Sequence, residues 1–434
     1  MIRILVRTIV MICALTATAR AEVSIDWVPV GPAAFELGSG LGVTPAGYYF
    51  HMGQYEITNA QYADFLNAVA SSDPNGLYNA NMGTAPRGGI TQSGPDGSFV
   101  YAVRPNMGNK PVNFVGGADA FRFVNWLGNG QPAGPQDVLT TEDGTYDMSI
   151  PIENIRRKGS HPTFILPQFR EWLTAGYTDH ESVGAGPDYL WLYPMRADSN
   201  PTIASSDATG NIANPGPNVA NYSSGADWSG QDGNVTTVGS AGPASSSYFG
   251  TFDQGGNVAE IIEDSSMGHS PLAVGGSYAS PASSLEGTYP QTPIPAMESA
   301  EIGFRVALVP CRPTADFDGD DDVSGLDINF AAHILISAVY DCRFDYDSNL
   351  VIDGLDVQVF ADTLLSGCPA NEIALSDGNG DTVCLSPCSS GLIWRADPGI
   401  PDLGRCCPYT KLLNPDPDLN GDPSGDGGTC EDFE

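Results

Sequence analysis

The sequence predicts an irregular α+β fold with few and short regular elements, followed by a small acidic region that carries the cysteines. Three observations predict it. Gly 51 and Pro 34 in 434 residues, with no G-X-Y period, exclude collagen and argue against long helices. Short stretches of helical apolar spacing stand apart from one another, separated by Gly/Pro/Ser/Asn-rich stretches over 71–110, 128–160 and 196–250. Cysteine content and charge density both change near residue 311.

Composition limits the function classes. A hydrophobic fraction of 41% against 16% charged residues, with Trp 6, Tyr 17 and Phe 17, supplies a core and excludes global disorder. The net charge of -34 excludes attachment to nucleic acid or to an anionic membrane through a basic patch.

Residues 1–21 read as a secretory signal. Arg3 and Arg7 precede an apolar run from Ile9 to Leu15, and Ala19-Arg20-Ala21 precedes Glu22. The run is shorter than the roughly 20 residues of a membrane span, and Ile328 to Tyr340 is interrupted by Asn329 and His333, so no span is expected. The mature chain is expected to be secreted or held at the cell surface. Its eight cysteines are Cys311, Cys342, Cys368, Cys384, Cys388, Cys406, Cys407 and Cys430, an even set read as a disulfide framework of open pairing. Zinc held by Cys384, Cys388, Cys406 and Cys407 is the competing reading, with irregular spacing and no histidine close by. Residues 22–311 carry net charge -18, and the far shorter stretch 312–434 carries -19. The divisions are therefore 1–21, a domain at 22–310, a module at 311–368 and a Cys-rich acidic tail at 369–434.

Within the first domain, Tyr62, Phe65, Leu66 and Val69 share one face of a helix begun by Thr58 or Asn59. The spacing of Ala120, Phe121, Val124 and Leu127 predicts a second helix over 118–127. Phe169, Trp172 and Leu173 predict a third over 167–175. The five histidines, His51, His161, His180, His269 and His333, are scattered without metal-site spacing, and Ser280 lacks a G-x-S-x-G elbow.

Seven colinear blocks then resemble the formylglycine-generating enzyme, or sulfatase-modifying factor, family. They are Tyr55-Glu56-Ile57-Thr58-Asn59 through Tyr62 and Phe65; Pro111-Val112-Asn113-Phe114-Val115 with Trp126; Leu166-Pro167 with Glu171-Trp172; Gly255-Gly256-Asn257-Val258-Ala259-Glu260; Gly275-Gly276-Ser277-Tyr278; and Ile302-Gly303-Phe304-Arg305, with the helix at Asp119-Ala120 between them. The resemblance implies a C-type-lectin-like fold. Active members of that family place two cysteines after the GGSY block to bind copper(I), which favours soft thiolates. Those positions fall on Ser280 and Leu285, and residues 22–310 contain no cysteine. The resemblance therefore implies a domain without formylglycine-generating activity, the alternative being a metal-dependent oxidase that uses another site. It also implies structural calcium at Asn257, Val258 and Glu260, and at Asn221 and Tyr222 with Asp227 or Asp232.

A second pattern lies in the acidic module. Asp316, Asp318, Asp320, Asp322, Ser324 and Asp327 fall on loop positions 1, 3, 5, 7, 9 and 12 of an EF-hand-type loop, position 7 acting through its backbone carbonyl. Asp345, Asp347, Asn349, Val351, Asp353 and Asp356 repeat the pattern, and each loop precedes a short apolar helix: Ile328, Ala331, Ala332 and Leu335, then Val357, Phe360, Ala361 and Leu364. The pair is similar to the duplicated loops of type I dockerin modules. Asp321 and Leu350 replace the glycine usual at position 6, which lowers the expected affinity without removing a ligand. Calcium is the expected cofactor. The expected partners are an extracellular protein or glycan and, from the dockerin resemblance, a cohesin-like protein. The half-loops Asp377-Gly-Asn379-Gly-Asp381 and 416–422 are read as acidic tail.

Overall fold

The structure is a computed structural model. It describes residues 23–31, 50–158, 164–178, 190–263, 271–287, 292–293 and 297–309, with short helical and strand segments beyond 310. The chain runs through β1 (Trp27–Val30), β2 (Phe50–Gly53), α1 (Asn59–Val69), the hairpin β3 (Ile90–Ser93) and β4 (Val100–Val103), α2 (Gly117–Gly128), β5 (Phe164–Ile165) and α3 (Phe169–Tyr177). It continues through β6 (Thr202–Ile203), β7 (Val219–Ala220), β8 (Ala259–Ile262), β9 (Leu272–Val274), β10 (Thr292–Pro293), β11 (Ile302–Phe304) and β12 (Ala307–Leu308).

The strands form two four-stranded sheets, ordered β1-β2-β12-β5 and β10-β9-β8-β11. The first is antiparallel throughout; in the second, β8 and β11 run parallel with Phe304 opposite Ile261. Only Arg305 and Val306 separate β11 from β12, so the chain passes from one sheet to the other at that point.

The three expected helices form. Thr58 caps α1: its hydroxyl accepts the Gln61 N–H at 3.3 Å, and the Gln61 side chain accepts the Thr58 N–H at 2.8 Å. Tyr62, Phe65, Leu66 and Val69 are fully buried. On α2 the burial exceeds the one expected face, because Phe123, Asn125 and Trp126 are buried too. On α3 the helix begins two residues later than the spacing suggested, because Gln168 is the cap and its N–H donates to Glu171 at 2.6 Å. Between α1 and α2 the core is aromatic: Phe65 meets Phe123 at 5.2 Å and Trp126 at 5.1 Å, and Phe123 meets Phe304 of β11 edge-on at 5.3 Å. Edge and tilted contacts of this kind add about 0.5–1.5 kcal/mol each to the gain from area burial.

The long loops are held by asparagine amides. Asn59 donates to the carbonyls of Met107, Lys110 and Pro111. Asn67 exchanges two bonds with Tyr101, tying the β3–β4 hairpin to α1. Asn125 donates to Thr141 and Tyr146, while Asn129 donates to Thr140 and Asp143. Backbone that forms no ladder is satisfied in this way.

Residues 1–21 and both acidic loops, 316–327 and 345–356, lie outside the described residues. Ile328, Ala331 and residues 357–361 are helical, with Ala331, Val359 and Phe360 buried. In the tail, three antiparallel strand pairs are described: Ile373–Ser376 with Thr382–Leu385, Leu392–Ala396 with Gly404–Pro408, and Lys411–Leu413 with Cys430–Asp432. Among the described residues no helix is long and apolar enough to cross a membrane.

Asp119, in the first turn of α2, accepts the Gly116 N–H at 2.8 Å and is buried. Burial pushes its carboxyl up to about 8; the Gly116 bond and Arg122 oppose the rise, and Glu298 and Asp73 add to it. The folded state therefore retains a proton that the unfolded chain loses near pH 4. The resulting stability is complete below that pH and is lost as the pH rises through about 8. Asp119→Asn, which keeps an acceptor for Gly116, is expected to flatten the decline of unfolding free energy between pH 5 and 8 by about 1 kcal/mol per pH unit. Parallel urea-unfolding profiles for the two proteins across that range would refute this.

Candidate functional site

Where the two sheets meet, the chain buries a group of charged side chains. Arg305 is wholly buried. Its Nε donates to Glu260 Oε2 at 2.7 Å and its Nη2 to Glu260 Oε1 at 2.5 Å. The rest of the guanidinium donates to the carbonyls of Gly53, at the end of β2, and of Phe252. Glu260 lies on β8 and also accepts the Trp172 indole N–H from α3 at 2.7 Å. One carboxylate thereby connects both sheets and a helix.

Glu56, also buried, accepts Asn257 Nδ2 at 2.7 Å and the Val258 N–H at 3.1 Å. Asp253 accepts the Gly239 N–H at 2.6 Å. Burial, followed by the charges of Asp253 and Glu260, holds the Glu56 carboxyl well above the usual carboxylate range. Burial likewise pushes Asp253 up to about 6. Three carboxyl groups here face one guanidinium. Burial alone would lower the Arg305 value, but Glu260, Glu56 and Asp253 more than offset it.

Asn257 reaches this centre in the left-handed region, at φ 59, behind Gly256 at φ 95. A Cβ on Gly256 would stand 2.3 Å from the Asn221 carbonyl oxygen, so the turn requires glycine. The expected cation ligands do come together here, but hydrogen-bond donors occupy their oxygens. Asn257 Oδ1 accepts the Thr236 N–H at 2.8 Å and Asn221 Nδ2 at 3.2 Å, and Glu260 is taken by Arg305 and Trp172. A cation in contact with those atoms would displace these bonds. Asn221 Oδ1 is buried without a partner among the described residues. Tyr222 uses its hydroxyl on the Pro201 carbonyl, and Asp227 accepts the Gly233 N–H. Among the described residues, no group of three His, Cys, Asp or Glu is placed to hold a metal ion. Of the five histidines only His51, on β2, is described, and burial lowers its value to about 4.

The two positions where the resemblance calls for thiols are separated in role. Ser280 closes a turn, with its Oγ accepting the Ser277 N–H at 2.9 Å. Leu285 is fully buried against Tyr193, Met195, Ala220 and Tyr222, and its carbonyl accepts the Tyr177 hydroxyl.

A second ionic centre had no sequence signal. Arg157 makes a bidentate pair with Glu171 of α3, at 2.9 and 2.7 Å, and reaches Glu263 at 2.6 Å. Tyr146 donates to the same Glu263. Acidic residues beside Gly-rich loops read as solvated charge, and the partners are 14 and 106 residues apart. Glu56, Asp253 and the role of Arg305 were missed for the same reason.

An irregular α+β domain organised around buried charged side chains and asparagine-tied loops is the class that the geometry defines. The model of the sulfatase-modifying factor enzyme 1-like domain matches residues 43–309, and the chain belongs to that family. Solved structures similar to it include CarF, at 21% identity and TM-score 0.37, covering 66% of this chain and 98% of that one. Others are Treponema denticola variable protein 1 (16%, 0.36, 66% and 93%) and PvdO from Pseudomonas aeruginosa (16%, 0.33, 66% and 92%). No curated protein matches the chain.

Removing one partner of a buried ion pair strands the other, at a cost of about 3–5 kcal/mol. Arg305→Met is expected to lose that much unfolding free energy in urea. Arg305→Met combined with Glu260→Gln, which keeps an acceptor for Trp172, should recover part of it. A loss under 1 kcal/mol in the single variant would show that the pair does not hold the sheets.

Proposed function

We propose that the protein is an exported, non-catalytic recognition or scaffold protein, in which the sulfatase-modifying-factor domain presents a binding surface and the acidic module binds calcium. The observation that carries the reading is Leu285. Its buried aliphatic side chain stands where formylglycine chemistry would require a copper thiolate, and no cysteine occurs between residues 22 and 310. Ser280, at the other position, has its hydroxyl oxygen in a turn hydrogen bond.

Calcium belongs to this reading through the two acidic loops. Asp316, Asp318, Asp320, Asp322, Ser324 and Asp327, and then Asp345, Asp347, Asn349, Val351, Asp353 and Asp356, offer oxygen ligands at the spacing a hard cation takes. The helical residues 357–361, directly after the second loop, support it. The partner is an extracellular protein or glycan, and a cohesin-like protein is the form expected for the module.

Incubation with a cysteine-containing sulfatase-type peptide is expected to leave its mass unchanged. A mass change to the aldehyde, or stoichiometric copper or iron in protein purified without added metal, would overturn the non-catalytic reading in favour of an oxidase. In the full-length chain, Asp316→Ala with Asp345→Ala is expected to abolish the rise in melting temperature that calcium produces. An unchanged rise would refute the loop assignment.

A further inference from the structure

Beside the Leu285 cluster lies an open groove of about 300 Å³, small for a ligand cleft. Met195, a member of that cluster, lines it, and half-buried Trp191 and exposed Tyr248 contribute aromatic surface. Tyr248 packs edge-on against Phe249 at 5.1 Å, and the backbone N–H of Trp191 donates to the Tyr177 carbonyl. The remaining lining includes Arg196 and Asn218, each in the left-handed region, at φ 58 and 53. The turn that carries Arg196 is closed by the Tyr193 N–H on the Ala197 carbonyl.

Two polar residues line the groove. Asn218 donates through Nδ2 to the Ser199 and Asn200 carbonyls, while its Oδ1 is buried without a partner among the described residues. Arg196 is exposed and forms no ion pair or hydrogen bond among the described residues, although the first domain carries net charge -18. A guanidinium matches a carboxylate or sulfate through two parallel N–H···O bonds. The groove thus offers aromatic faces for the C–H face of a ring and a planar cation for an acid group.

We propose that this groove binds an acidic saccharide, its ring against Trp191 and Tyr248 and its acid group on Arg196. The proposal rests on the recognition reading above and gives it a ligand class. The surrounding negative charge repels long polyanions, so short oligomers are the fitting ligand.

Titration calorimetry of the full-length protein, with tryptophan fluorescence in parallel, tests it. The probes are trigalacturonate, its fully methyl-esterified form, and a sulfated disaccharide of the chondroitin type. The expected result is one site for trigalacturonate or for the sulfated disaccharide, the stronger of the two identifying the acid group, with the ester at least tenfold weaker. Arg196→Gln should weaken binding at least tenfold and Trp191→Ala should abolish it, with both variants keeping the wild-type melting temperature. Binding to neither acidic probe at millimolar concentration, equal binding to the ester, or full binding by Arg196→Gln would overturn the proposal. Those failures leave the peptide-oxidation and calcium results unchanged, so loss of the ligand and loss of the non-catalytic reading are distinguishable.

Discussion

The pairing of Arg305 with Glu260 constrains most of the fold. The chain leaves β11 and enters β12 two residues later, so the side chain at this corner is enclosed by both sheets. A fully buried guanidinium there must place its N–H groups on acceptors, and it does so on a β8 carboxylate, the end of β2 and the loop carbonyl at Phe252. An apolar residue could fill the volume but could not fix the relative position of three backbone segments. Directionality is the use of a buried ion pair here, because its net contribution to stability over a well-packed apolar substitute is small.

The same economy explains how so many non-repetitive residues pack. Glycine and proline limit the length of helices and strands, which leaves many backbone groups without ladder partners. Asparagine supplies the substitute, since its amide is short, carries donor and acceptor together and tolerates the left-handed conformation. Asn59, Asn67, Asn125 and Asn129 all sit on or just after α1 and α2 and reach into the loops that follow. The helices therefore serve as anchoring posts as well as core elements. Asn221 and Asn257 repeat the device around Thr236, joining two loops 36 residues apart.

Legibility from sequence followed the range of the interaction. The face of α1 was readable because the apolar period and the contact lie on the same element, whereas on α3 all residues from Glu171 to Tyr177 are buried and Phe169 is half-buried. On α2 the period understated burial: Phe123 and Trp126 lie off the Ala120–Phe121–Val124 face, yet Phe123 is covered by β11, which follows about 180 residues later. The Asn257 and Glu260 positions were readable as a polar cluster from the block that carries them. Their partners were not. Glu56 and Arg305 meet them over separations of 201 and 45 residues, and no local spacing encodes a contact of that length. The guanidinium that pairs with Glu260 comes from the far end of the domain.

Leu285 connects this architecture to function. A thiolate pair needs access to oxygen and to a substrate, whereas Leu285 is packed between Tyr193, Met195 and Tyr222 and helps to position the groove wall on their far side. Arg196, exposed and without a protein partner among the described residues, lies on that surface, whereas the Ser280 hydroxyl already has a turn partner.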